Sequence, residues 1–151
     1  MRPRLPDTRV EKVGMDDSRS AQLLTLMLRV IGTASLFALI FVAAPHSWMR
    51  EIHTWLGLGE MPDTPIVWYL ARSTSAFYAL VGGLFWVVSF DLPRHRPVVV
   101  YLSTAVILLG VALLVMDWWE GLPREWAMWE GPFTIVTGLA MLVLSRRIEE
   151  R

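Results

Sequence analysis

Four long blocks of apolar residues constrain what this chain can fold into more than any other feature of its sequence. The blocks cover residues 25–44, 66–90, 98–116 and 129–145. Their lengths approach the roughly 20 residues of helix that cross the hydrocarbon core of a bilayer. A backbone in lipid must satisfy its own hydrogen bonds, and the blocks lack the alternating pattern of barrel strands. We therefore predict an all-α membrane protein that forms a four-transmembrane-helix bundle.

Composition favours the same fold class. Of the 151 residues, 54% are hydrophobic and 19% are charged, and the mean hydropathy is +0.45. A soluble domain of this size normally carries more charge. We expect one membrane domain over residues 21–151, preceded by a disordered cytoplasmic tail over residues 1–20, which has little apolar surface to bury.

Prolines and glycines mark the boundaries of the spans. Pro65 and Pro97 lie where the first turn of a helix tolerates a missing amide, and Gly121 is suited to end the third span. The start of the fourth span stays open between Trp126 and Pro132. An early start would bring a carboxylate and a Gly-Pro pair into the helix.

The distribution of basic residues indicates an orientation. They gather before the first block, between the second and third, and after the fourth, whereas each of the other two connections has one arginine. Basic flanking segments tend to face the cytoplasm. We therefore predict a multi-pass protein of the plasma membrane, the inner membrane of a bacterium, with both termini cytoplasmic. The clustered basic residues are Arg2, Arg4, Arg9, Lys12, Arg19, Arg94, Arg96, Arg146, Arg147 and Arg151.

The opposite, outer side collects acids and seven of the eight tryptophans. Indole rings favour the level of the lipid headgroups, so an interfacial aromatic belt accounts for them, with stacking on a ligand as the alternative. The tryptophans concerned are Trp48, Trp55, Trp68, Trp118, Trp119, Trp126 and Trp129.

A short amphipathic segment in the first outer loop, from Pro45 to about Leu56, is typical of a helix that lies in the membrane interface. It carries His46 and His53, which are two helical turns apart, or about 10 Å by helical rise, too far to bind one metal ion together. We predict no metal site and no cofactor, since the chain also lacks cysteine. Its net charge of zero argues against nucleic acid as a partner.

Arg72 is the most informative polar residue, because an arginine costs about 2.5 to 3.5 kcal/mol at the centre of a span. It lies near the outer end of the second span, from where it can reach towards water. We expect a polar cluster in which Arg72 pairs with Asp117 first and Glu130 second. Asp117 ends the third span, where the helix dipole disfavours a carboxylate, so it needs a cation more than Glu130 does. A ligand or a lipid headgroup is the alternative partner for Arg72.

Small residues recur at every fourth position of the second span, at Ser75, Ala79 and Gly83. This spacing favours close packing against another helix, although a polar face could instead line a cavity. The candidate ligand or interface contacts are His46, His53, Trp68, Ser75 and Trp118.

The segment 49–73, together with FDLPRHRP at 90–97 and WEGP at 129–132, resembles uncharacterised four-span membrane proteins of bacteria. The architecture is also loosely similar to that of DoxX-type small membrane proteins, some of which accompany respiratory or sulfur-oxidising enzymes. The resemblance implies a four-span fold and assigns no activity.

Two classes of function remain. The favoured one is a non-catalytic membrane component, either an accessory subunit of a larger membrane complex or a binder of lipid or another apolar small molecule. The absence of a catalytic motif and of cysteine favours it. The alternative is a small enzyme acting at the outer leaflet, with Asp117, Glu130 or His53 as acid or base. Arg72 would then hold an anionic group of the substrate.

Overall fold

The computed structural model describes residues 8–148, with side chains from residue 18 onward, and this part of the chain is helical without a strand. Its six helices are α1 (Thr8–Phe37), α2 (Leu39–Ala43), α3 (His46–Trp55), α4 (Pro65–Ser89), α5 (Leu92–Glu120) and α6 (Arg124–Arg147). A helix covers each predicted apolar block, with α1 and α2 together covering the first. The predicted all-helical class is confirmed.

Among the described residues, three helical segments are long and apolar enough to cross a membrane: Ser18–Ala43, Leu92–Glu120 and Arg124–Arg147. The first segment consists of α1 from Ser18 onward together with α2. Helix α4 has 25 residues, which suffices by length. The polar run at residues 72–75 in α4 lowers its hydropathy below that of the other three.

Helix α1 begins at Thr8, inside the segment that we expected to be disordered. Residues 8–20 are helical instead, because an existing helix is extended more easily than a new one is nucleated. The remainder of the predicted tail, residues 1–7, lies outside the described residues.

Helix α5 begins at Leu92, before the predicted start of the third span. The carboxylate of Asp91 accepts a hydrogen bond of 3.1 Å from the backbone N–H of Arg94 and so caps the helix. Pro97 therefore lies inside α5 and not in its first turn, where the sequence had placed it.

Helix α6 begins at Arg124, before both of the starts considered for the fourth block, Trp126 and Pro132, so Pro132 lies inside the helix. The connection from α5 is short because Gly121 ends α5 in the left-handed region, at φ 69°. This role of Gly121 was predicted.

The helices pack as two pairs, α1 with α4 and α5 with α6. Both pairs make backbone contact at glycines. A Cβ atom on Gly82 would lie 2.6 Å from the carbonyl oxygen of Gly32, and one on Gly110 would lie 2.9 Å from that of Gly131. Such contacts are typical of helices that pack through small residues.

The predicted small-residue stripe of α4 is partly correct. Ala79 is buried as expected, but Gly82 and not Gly83 makes the contact with α1. A Cβ atom on Gly83 would meet no atom within 4 Å.

The hydrophobic core that joins the two pairs lies toward one end of the molecule. We call this the arginine-rich end, because the α4–α5 connection and the end of α6 lie there, with Arg94, Arg96, Arg146 and Arg147. The tryptophan-rich end is the opposite one, with residues 44–64 and 117–130. The core side chains are Leu24, Leu28, Phe85, Val88, Leu92, Val99, Leu102 and Met141.

Candidate ligand sites at the tryptophan-rich end

Trp68 holds α3 against the start of α4. Its indole N–H donates to Oδ1 of Asp63 at 2.8 Å, and its buried ring stacks on His46 with centroids 3.9 Å and planes 2° apart. The guanidinium carbon of Arg50 lies 5.9 Å from the Trp68 ring centroid, and its Nη1 lies 3.4 Å from Oδ2 of Asp63. Two of the predicted contact residues, His46 and Trp68, thus meet each other, and they anchor α3.

Arg72 does not form the predicted ion pair. Its Nη2 donates to the carbonyl oxygen of Ala44 at 3.2 Å, at the end of α2, where the helix dipole favours a cation. No ion pair links Arg72 to Asp117 or Glu130 within residues 18–148. The reason is that α4 packs on α1 and α2, whereas both acids belong to the α5–α6 pair.

His53 and Ser75 line one small cavity of about 180 Å³ between α3 and α4. Nδ1 of His53 lies 3.0 Å from the carbonyl oxygen of Gly59, and the Ser75 hydroxyl donates to that of Ala71 at 2.8 Å. Backbone groups therefore engage both polar side chains. Within residues 18–148, no group of three or more His, Asp or Glu side chains is placed to hold a metal ion.

Glu130 lines a larger cavity of about 610 Å³, which lies between the end of α3 and the start of α6. Its Oε2 accepts a hydrogen bond of 2.5 Å from the indole N–H of Trp126, one turn earlier on the same helix. The lining is mostly apolar and aromatic, and we call this cavity the aromatic cleft. It is lined by Leu56, Pro123, Glu125, Trp126, Trp129, Glu130 and Phe133.

Asp117 lies in another cavity, on the opposite face of α6. The residue is only 4% exposed, and its Oδ2 is buried without a hydrogen-bond partner among the described residues. It lines a groove of about 690 Å³ between the last turn of α5 and the first turns of α6. We call this the Asp117 groove. Its other lining residues are Leu114, Trp118, Gly121, Leu122, Arg124, Ala127, Met128 and Pro132.

The residues of the enzyme alternative do not converge. Asp117, Glu130 and His53 each line a different cavity, and the Arg72 guanidinium binds the end of α2. An acid and a base that act on one substrate must both reach it. The arrangement instead offers two mostly apolar cavities, with one carboxylate in the wall of the Asp117 groove and two in the wall of the aromatic cleft.

Sequence reasoning missed several residues that complete these cavities. Trp126 and Glu130 are four residues apart, so their side chains are neighbours on one helix face, and this spacing could have predicted their hydrogen bond. Leu56 and Arg124 have no comparable local signal, because their positions depend on which helices pair.

No protein-family model, no curated protein and no solved structure matches this chain. The fold of residues 8–148 therefore defines the class: this part of the chain is all-helical, and three of its helical segments are long and apolar enough to cross a membrane. The resemblance to uncharacterised four-span proteins and to DoxX-type proteins stays a prediction.

Proposed function

We propose that the protein crosses the plasma membrane four times, with both termini in the cytoplasm and the tryptophan-rich end outside. Helix α4 is the additional crossing, since its 25 residues span a bilayer and it packs along α1. Arg72 is tolerated in it because its guanidinium binds the carbonyl end of α2 near one end of the span. The arginines of the other end support this orientation.

Helix α3 then lies in the outer interface. Its side chains Trp48, Ile52 and Trp55 follow one stripe of the helix, and all three are exposed. Met49, on another face, is buried against Ala44 and Trp68. An exposed stripe of this kind is suited to the boundary between headgroups and acyl chains.

In this membrane the protein acts as a non-catalytic component. It binds a lipid, or another apolar or amphipathic small molecule, in the aromatic cleft. The observation that carries the proposal is the cleft itself. Its volume of about 610 Å³ is that of a small-molecule site, and aromatic rings line it beside two carboxylates that can orient a polar end. An accessory role in a larger membrane complex is compatible with such binding.

Mass spectrometry of the protein released intact from detergent micelles tests this function. The parent protein is expected to retain a bound molecule from its native membrane. Phe133→Ala and Trp126→Ala should lose it, because both side chains line the cleft. Trp55→Ala is the matched control, since Trp55 is 83% exposed and lies outside the cleft. A parent without a bound molecule, or equal retention in all variants, would refute the function.

A further inference from the structure

The buried carboxylate of Asp117 has no partner among the described residues that compensates its burial. A buried charge is costly unless an opposite charge or hydrogen-bond donors compensate it. Within residues 18–148, no side chain donates to Asp117, and its Oδ2 is unsatisfied. Asp117 is one of the residues that line the groove, so a molecule bound there can contact its carboxylate.

The groove is lined by groups of opposite charge. Asp117 belongs to the last turn of α5, the negative end of that helix dipole. Arg124 is the first residue of α6, whose positive end has no side-chain cap. Glu125, the acid of the first turn of α6, lines the aromatic cleft on the other side. The groove therefore presents both an acceptor for a cation and a site for an anion.

Arg124 and Asp117 line the same groove without forming an ion pair. Two opposite charges that stay apart are complementary to a zwitterion, which can engage both at once. The lining also includes the apolar side chains Leu114, Leu122 and Met128. These side chains suit the glycerol and acyl parts of a lipid.

We propose that the Asp117 groove binds the headgroup of an aminophospholipid. Its primary ammonium donates to Asp117, and its phosphate binds Arg124 and the N-terminal amides of α6. The proposal rests on the membrane location argued above and is independent of the aromatic cleft. A metal ion is a poorer occupant, because the described residues that line the groove include no second acid and no histidine to complete its ligands.

The proposal distinguishes a primary ammonium from a quaternary one. A primary ammonium has N–H donors that can reach a carboxylate as buried as Asp117, whereas a trimethylammonium group has none. Quaternary ammonium groups are usually held by a cage of several aromatic rings. Among the side chains that the structure describes, Trp118 is the only aromatic one that lines this groove.

The test is native mass spectrometry of the full chain in dodecyl maltoside micelles that contain equal amounts of dioleoyl phosphatidylethanolamine and dioleoyl phosphatidylcholine. The parent is expected to retain phosphatidylethanolamine about tenfold over phosphatidylcholine, the effect of one additional charged hydrogen bond. Asp117→Asn should abolish this preference. Glu120→Gln, an exposed acid on the same helix, should leave it unchanged.

Arg124→Gln should lower the retention of both lipids and keep the preference between them, because both lipids carry the phosphate. Phe133→Ala in the aromatic cleft should retain the preference, which separates this site from the proposed function. Asp117→Asn should melt no lower than the parent in lipid-free detergent, so that lost preference cannot be attributed to unfolding. Equal retention of both lipids by the parent, or an unchanged preference in Asp117→Asn, would overturn the proposal.

Discussion

Asp63 serves two different neighbours with its two carboxylate oxygens. Oδ1 accepts from the indole of Trp68, which is 6% exposed, and Oδ2 faces Arg50 at 3.4 Å in an ion pair whose side chains are 47% and 68% exposed. Exposed ion pairs contribute at most about 1 kcal/mol. A buried donor without an acceptor costs about 1 to 3 kcal/mol. The contact with Trp68 should therefore dominate.

Two substitutions of Asp63 separate these contributions. Asp63→Asn keeps an acceptor for Trp68 and removes the charge, so it should lower the free energy of unfolding by less than about 1 kcal/mol. Asp63→Ala leaves the indole N–H unpaired and should cost about 1 to 3 kcal/mol more. Thermal unfolding in detergent, followed by circular dichroism, measures the difference. Equal losses would show that Trp68 does not depend on this hydrogen bond.

Arg72 and Asp117 show what sequence reasoning at single residues can and cannot supply. Helix polarity predicted that Asp117 needs a cation more than Glu130 does, and in the described part of the structure the Oδ2 atom of Asp117 is buried without a partner. The predicted pairing of Asp117 with Arg72 was wrong, because the position of Arg72 depends on the packing of α4 against α1 and α2. No local pattern in the sequence encodes this packing.

The stabilities of Arg72→Ala, Asp117→Asn and the double variant should be additive within about 0.5 kcal/mol, because the two side chains share no contact. Arg72→Ala alone should cost about 1.5 to 3 kcal/mol, as the Ala44 carbonyl loses a charged donor. Asp117→Asn alone should cost nothing or stabilise. Chemical or thermal unfolding of the three variants in detergent provides the comparison. A coupling energy well above about 1 kcal/mol between the two substitutions would show that Arg72 and Asp117 form an ion pair after all.

At the scale of helices, glycines determine how closely the pairs approach. Gly82 faces the backbone of α1, whereas its neighbour Gly83 faces open space. The sequence predicted a small-residue stripe on α4 and placed Ala79 in it correctly, but it continued the stripe to Gly83, one residue beyond the contact at Gly82. A shift of one position rotates the contact by about 100° around the helix, and only the packed structure fixes this angle.

Gly82→Ala and Gly83→Ala form a matched pair of variants. A Cβ atom on Gly82 would lie 2.6 Å from the carbonyl oxygen of Gly32 and 2.9 Å from the backbone nitrogen of Leu36, so the helices must separate. We expect a loss of about 1 to 3 kcal/mol. Gly83→Ala should be neutral or stabilise by up to about 1 kcal/mol, because alanine favours helix. Melting temperatures in detergent should fall for Gly82→Ala alone, and a reversed order would contradict the α1–α4 contact.

The ends of the helices were predicted from the sequence less accurately than the helices themselves. Asp91 followed by Leu92 and Pro93 is a good helix start, with an N-cap carboxylate and an early proline. We instead took Pro97 as the start because it adjoins the apolar block. Pro97 lies in the second turn of α5, where a proline removes one backbone hydrogen bond, and the helix continues through it into the packed residues Val99 and Leu102.

At the scale of the whole molecule, the apolar blocks predicted four helices, and the structure places a helix over each one. Hydropathy supports crossing for three of the four segments. Helix α4 is the exception because Arg72 and the hydroxyl residues after it make its middle polar. Whether α4 crosses depends on how its partners satisfy these groups, as the bond from Arg72 to the end of α2 does. Composition alone does not contain that information.

The most direct test of the four-span topology compares the two ends of α4 in intact cells. The chain has no cysteine, so single cysteines can be introduced at Ser18, Glu60 and Arg94, which are all exposed. A membrane-impermeant maleimide should label Glu60→Cys from outside, whereas Ser18→Cys and Arg94→Cys should react only after the membrane is permeabilised. Labelling of Glu60→Cys and Arg94→Cys from the same side would show that α4 does not cross and would contradict the four-span protein proposed.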